Sequence, residues 1–261
     1  KQNGNVVIQS FDNKKVKTID SAINKVYLDV FNDYLGLEPD GTLTNLVEGS
    51  GPNITEEAKS ILKKGVIKYS VEGAITALLK DKSILFIKGN NEVHHDSKKL
   101  NYKFKDFFAV SNEGYSYLLT EDNTLYRQRG TRYQKVLENV KDVLCTGLTQ
   151  SAFTTDGSIF NITGDSYSVN TSKIFSKNDY SGEVLRKYST RVQNAFLTTT
   201  GQVISWGRST HTGAGKEIVF SDVKDNLKNG VISIYTVGKT FFALKADGTI
   251  VKWGATYSGN E

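Results

Sequence analysis

Short apolar runs alternate with turn residues along most of this chain. Between Phe241 and Gly254, FFALKADGTIVKWG, the run Phe242-Ala243-Leu244 and the β-branched run from Thr249 to Trp253 flank Asp247-Gly248. That arrangement predicts two antiparallel strands joined by a type I′ turn, whose central residues need a positive φ that glycine adopts without steric cost. One hairpin does not bury enough surface to stand alone in water. Neighbouring copies are therefore expected, and the chain supplies them.

The same unit recurs as NAFLTTTGQVISWG (194–207), SAFTTDGSIFNI (151–162), LLTEDNTLYRQRG (118–130), ALLKDKSILFIKG (77–89) and LGLEPDGTLTNL (35–46). Asn3 to Ile8 resembles the second half of a further copy. The turn positions 4, 41, 82, 123, 157, 201 and 248 are separated by 37, 41, 41, 34, 44 and 47 residues. Two further marks precede most turns. One is a glycine (Gly73, Gly114, Gly147, Gly238); the other is an earlier apolar strand at Val66-Ile67, Phe104 to Phe108, Val140 to Cys145, Val184-Leu185 and Val231 to Tyr235. A repeat of about 40 residues holding three or four short strands is the period of a propeller blade. The predicted fold is an all-β propeller, seven-bladed by its turns or six-bladed by its complete copies.

The connections complete this outline. Lys1 to Phe11 is expected to supply a lone strand that pairs with the C-terminal blade and closes the ring. Ile54 to Lys64 predicts a short helix after Pro52-Asn53. Glu92 to Asn101, Thr131 to Leu137, Gly164 to Gly182 and Gly207 to Gly230 read as connections, the last two being long enough to carry function. No domain boundary shows, so residues 1–261 are read as one domain. A chain that starts at Lys1 and contains no methionine is expected to be processed or excised from a longer one.

Composition narrows the picture only a little. A hydrophobic content of 38% with 11% aromatics fits a folded domain. No apolar run is long enough to span a membrane. The net charge of +5 favours an acidic partner, but lysines spread along every unit argue for solubility rather than a nucleic-acid groove. The abundance of lysine and asparagine over arginine points to a bacterial source. Cys145, alone in an apolar strand, is expected to be a small buried residue.

The stretch ALKADGTIVKWG, with the upstream GVISI and an intervening glycine, resembles the regulator of chromosome condensation repeat family, in its short-repeat bacterial form. The units around Asp81 and Asn123 depart from the pattern, having lost the turn glycine and the tryptophan. The resemblance implies a β-propeller that recognises another protein. It leaves several roles open: an exported or surface interaction module, an enzyme inhibitor of the propeller-type β-lactamase inhibitor kind, or a nucleotide exchange factor for a small GTPase.

Candidate chemistry is sparse. His94-His95-Asp96 has ligand-type residues, but adjacent side chains on an extended segment point apart. No nucleophile elbow or phosphate-cradling loop appears. The expectation is a protein that is not an enzyme, has no cofactor or metal, and is monomeric. It is expected to be secreted or on the cell surface, with the cytoplasm or delivery into a host as the remaining destinations. Residues that repeat in each unit are committed to packing, which leaves the non-repeating aromatic and basic ones for a partner. By that filter the candidate binding residues are Tyr126, Arg127, Arg129, Arg132 and Tyr133, with Tyr167, Tyr180 and His211 from the two longest connections. Trp206 and Trp253, at equivalent repeat positions, are expected to be structural.

Overall fold

A computed structural model describes residues 6–9, 16–19, 25–28, 34–37, 43–45, 55–71, 74–88, 93–95, 102–110, 115–129, 132–145, 149–164, 168–190, 192–207 and 221–254. Consecutive antiparallel sheets fill the chain in sequence order. A two-stranded sheet, β1 (Val6–Gln9) and β2 (Val16–Ile19), comes first. The next sheet is β3 (Lys25–Leu28), β4 (Tyr34–Leu37) and β5 (Leu43–Asn45). Helix α1 (Glu56–Leu62) leads into β6 (Val66–Val71), β7 (Ala74–Leu79), β8 (Ile84–Lys88) and β9 (Val93–His95). Then come β10 (Phe104–Val110), β11 (Tyr115–Thr120), β12 (Leu125–Arg129) and β13 (Arg132–Leu137). The fifth sheet is β14 (Val140–Cys145), β15 (Gln150–Thr154), β16 (Ile159–Gly164) and β17 (Val169–Phe175). The last two are β18 (Val184–Ser189), β19 (Gln193–Thr198) and β20 (Val203–Gly207), then, after α2 (Ser221–Lys224), β21 (Val231–Val237), β22 (Thr240–Lys245) and β23 (Ile250–Gly254).

The apolar runs expected to open each unit start where the first strands do, at Val66, Phe104, Val140, Val184 and Val231. Five hairpin turns sit at the expected positions but differ in type, while those expected at Gly4 and Gly41 lie outside the described residues. Positive φ occurs at one residue per turn: Lys82, Asn123, Gly157, Gly201 and Gly248. A type I′ turn would need two such residues. Instead, Leu79 N donates to Ser83 O (3.0 Å) while Lys82 N donates to Leu79 O (3.0 Å), and the same pair of bonds closes the turns at Gly157, Gly201 and Gly248. This is a three-residue loop, a tight turn followed by one left-handed residue. At four of the five turns, all but that at Gly201, an aspartate precedes the left-handed residue. Asp81, Asp122, Asp156 and Asp247 each accept the backbone N–H two residues on, at 2.9–3.2 Å, a local bond that holds the turn open for one more residue.

A second regular feature joins consecutive sheets. The carbonyl of the left-handed turn residue accepts the first N–H of the following first strand: Phe104 N to Lys82 O (3.2 Å), Val140 N to Asn123 O (2.8 Å) and Val231 N to Gly201 O (3.0 Å). At Gly157 the carbonyl accepts the Tyr180 hydroxyl, at 2.7 Å.

Two expectations about strands are corrected. β1 pairs with β2, register Val6↔Ile19, and among the described residues the C-terminal sheet consists of β21, β22 and β23. Closing a short loop between neighbours in sequence costs less chain entropy than closing the whole chain. The segments read as connections at Glu92 to Asn101, Thr131 to Leu137 and Gly164 to Gly182 contain the fourth strands β9, β13 and β17. These outer strands are half-buried or exposed along most of their length, so they lack the apolar alternation that marks a strand in sequence. The helix at 54–64 is present as α1. Thr55 Oγ1 accepts Ala58 N (3.2 Å), and Ala58 and Leu62, one turn apart, are buried. Cys145 is half-buried rather than buried.

The chain divides into two compact units, Lys1–Glu121 with Arg127–Tyr133, and Asp122–Tyr126 with Gln134–Glu261. In the first, one core gathers Ala58, Leu62, Val66, Tyr69, Ile75 and Leu85, and a second gathers Leu78, Ile84, Phe104, Phe107 and Leu118. In the second unit, Phe153, Phe196 and Trp206 pack edge to face with centroids 5.8–6.2 Å apart, while Phe241 stacks on Trp253 at 5.1 Å. Both tryptophans are buried and donate to a serine: Trp206 Nε1 to Ser151 Oγ and Trp253 Nε1 to Ser205 Oγ, each at 3.0 Å. Their structural role is as expected.

Candidate functional site

The residues nominated from sequence fall into four groups. Arg129 and Arg132 are exposed, at the facing ends of β12 and β13. Tyr126 and Tyr133 are half-buried; Tyr133 packs against the Phe104–Phe107–Leu118 core, and its hydroxyl is buried without a protein hydrogen-bond partner. Arg127 and Tyr180 are interior. Tyr167 and His211 lie outside the described residues.

Arg127 is only 6% exposed, its guanidinium carbon 5.3 Å from the Tyr115 ring centroid. A cation held over an aromatic face in this way is committed to the fold before any partner arrives. Tyr180 is equally committed. Its hydroxyl holds the Gly157 carbonyl, its ring meets Phe196 edge-on at 5.0 Å, and Lys177 Nζ lies 4.6 Å above it. Burial, reinforced by the charges of Glu183 and Asp156, pushes its phenol above the usual value of 10.0. A neutral hydroxyl is therefore kept for donation to the carbonyl.

A cleft of about 330 Å³ opens in the second unit. Ile174 and Phe175 of β17, Val203 and Ile204 of β20, Leu227 and the Trp253 ring make its apolar lining. Several of its polar groups are already engaged, and Lys224 also lines it. Gln202 Oε1 accepts Ser181 N (2.7 Å), Ser205 Oγ donates to Asn194 O (3.0 Å), and Asp179 accepts both Ser176 N and Ser176 Oγ. Those two bonds, the backbone one foremost, hold the Asp179 carboxyl below the usual 3.8. The cleft can take an apolar group.

What the sequence reading missed is a set of large apolar side chains left in solvent. In the second unit these are Leu185 (56% exposed), Ile232 (59%), Tyr235 (58%), Val237 (68%) and Ile250 (67%). Four of the five belong to the last sheet. Leu185 and Ile232 occupy the same place in their strands, opposite a break in register. No signal in the sequence alone shows this, since Leu185 and Ile232 read as ordinary members of apolar strands.

No protein-family profile matches the sequence, and no curated protein does. Solved structures do. Human WBSCR16 is similar over 93% of this chain and 79% of its own, with 15% identity and a TM-score of 0.51. Prp20p from Saccharomyces cerevisiae, the yeast RCC1, is similar over 93% of this chain and 72% of its own, with 11% identity and a TM-score of 0.52. BamB from Moraxella catarrhalis is similar over 100% of this chain and 79% of its own, with 15% identity and a TM-score of 0.53. The chain is a β-propeller. At these identities the likeness establishes the fold, shared with RCC1-type propellers, with successive antiparallel sheets as blades. No helix among the described residues is long and apolar enough to cross a membrane.

Proposed function

We propose that this propeller is a non-enzymatic protein-binding module, exported or displayed at a bacterial surface. The observation that carries the reading is the last blade, where Ile232, Tyr235, Val237 and Ile250 are all more than half exposed. Single apolar side chains on a surface are ordinary, but four on one three-stranded blade make a local concentration of the kind that marks interaction sites. Tyrosine with branched aliphatics offers large contact area at low entropic cost. Arg129 and Arg132, exposed in the other unit, remain candidates for a basic contribution. The structure of Prp20p was described together with its binding to Gsp1p and histones, so a protein partner is within the repertoire of this fold. The lysine-rich, arginine-poor composition supports a bacterial origin.

The test is capture on the immobilised domain from an extract of the source organism, followed by calorimetry with each purified candidate. At least one protein should bind directly, and more weakly when Tyr235 and Val237 are replaced by serine. If no captured protein binds directly in calorimetry, the reading is wrong.

A further inference from the structure

Five first strands break register at one equivalent position. The extra residue falls between Val66 and Lys68, Phe104 and Asp106, Val140 and Asp142, Val184 and Arg186, and Val231 and Ser233. It is therefore Ile67, Lys105, Lys141, Leu185 or Ile232. A bulge leaves its extra residue outside the ladder and re-aims the side chain. The repeated bulge is a device of the fold, but what stands on it is not fixed by the ladder. A solvent-facing place of this kind is expected to be polar. Ile67, Leu185 and Ile232 are nonetheless aliphatic, and each is 45% exposed or more.

Three successive bulges, at Lys141, Leu185 and Ile232, lie in the second unit, and their strands touch. Lys187 of β18 forms an ion pair with Asp142 of β14, and β18 is in contact with β21. Asp142 is further fixed by accepting Val143 N at 2.7 Å. The trio thus occupies the equivalent position on three neighbouring strands, two aliphatic side chains and one lysine. Arg186, exposed, follows Leu185 directly. The carboxylates closest in sequence are engaged, Asp142 by Lys187 and Glu183 by Lys177 at 3.4 Å. Taking each of these pairs as neutral, the net charge at this level is positive, from Lys141 and Arg186.

We infer that Lys141, Leu185, Arg186 and Ile232 form a docking surface for a segment of a partner protein in which acidic and aliphatic residues are interspersed. This rests on the protein-binding reading above and gives it a location and a partner chemistry. Aliphatic groups of the segment cover Leu185 and Ile232, and its carboxylates meet Lys141 and Arg186. The cationic pair speeds encounter and sets specificity, while the aliphatic pair holds the complex.

The experiment is selection of a displayed library of random dodecapeptides on the intact domain. Selected peptides are then synthesised and titrated into wild type, Leu185→Ser with Ile232→Ser, and Lys141→Glu with Arg186→Glu. All four side chains are exposed, so far-ultraviolet circular dichroism and the melting temperature should be unchanged. The expected result is enrichment of Asp or Glu together with Leu, Ile or Val, with affinity falling roughly tenfold or more in each double variant. A charge-reversed peptide should regain affinity for the Lys141→Glu, Arg186→Glu protein. Peptides that bind all three proteins equally would overturn the surface while leaving the protein-binding reading intact. No enrichment on wild type would overturn both. Dimerisation of the domain in sedimentation, abolished by Leu185→Ser with Ile232→Ser, would assign the surface to a second copy and overturn the proposal.

Discussion

Gly201 and Gly248 occupy the same position in two successive blades, with φ of 77° and 86°, yet substitution by alanine should affect them differently. For both, an L side chain in the left-handed region costs about 1–2 kcal/mol. Loss of glycine's freedom in the unfolded chain returns about 0.4–1 kcal/mol of that. At Gly248 an added Cβ has no heavy atom within 4 Å, so the net cost should be about 1 kcal/mol. At Gly201 it would lie 3.0 Å from Gly230 N and 3.1 Å from Val231 O, both backbone atoms that cannot rotate aside. The strand that must retreat is the one whose Val231 N donates to Gly201 O. Overpacking of this kind adds about 1–3 kcal/mol, for a total of about 2–4 kcal/mol. Urea unfolding of the two variants beside wild type measures the difference, provided the slope is unchanged. Equal losses for Gly201→Ala and Gly248→Ala would refute the close joint between these blades.

Tyr180→Phe keeps the ring against Phe196 but leaves the Gly157 carbonyl without its donor; it should cost about 1–2 kcal/mol by the same unfolding measurement. Trp253→Ala should cost about 3–5 kcal/mol, and Trp253→Phe clearly less, since the stack on Phe241 survives and Ser205 keeps its bond to Asn194. Asp156, through its bonds from Thr154 and Ser158, and Asp247, through those from Thr249, are held below the usual 3.8. With folded values depressed, their contribution is complete above the unfolded value and disappears as pH falls through the folded one. The melting temperature should therefore drop below about pH 4, and Asp156→Asn should flatten that drop.

The repeating parts of the fold were legible because they rest on local backbone needs. The left-handed residue in most of the described turns leaves a trace as glycine or asparagine, and Asn123 with φ 68° shows how a unit without glycine keeps its turn. Even Lys82, an unfavourable residue at φ 68°, was located by the apolar runs on either side. The outer strands β9, β13 and β17 were not legible, since one edge faces water and their side chains need no alternation. The candidate site was harder. Choosing residues that break the repeat selected Tyr180, which breaks it for a structural reason: it occupies the carbonyl that elsewhere receives a strand amide. Arg127 looked like an exposed strand end because Arg129 and Arg132 follow it closely, but Tyr115 on the neighbouring strand draws it inward. The bulge positions depend on which residues pair across strands, information that no single strand carries.

The amide-to-carbonyl joint between a turn and the next first strand involves no side chain at either atom. Lys82, Asn123 and Gly201 all serve as acceptor residue. A gene encoding such a chain can therefore copy a unit in tandem, or let each copy drift, without having to preserve a matched pair of residues at the seam. Between Gly157 and β18, where the seam itself has changed, a single tyrosine from the intervening connection is enough to bridge it. Ancestral copies of one unit can in this way become unrecognisable to one another while their descendants still assemble side by side.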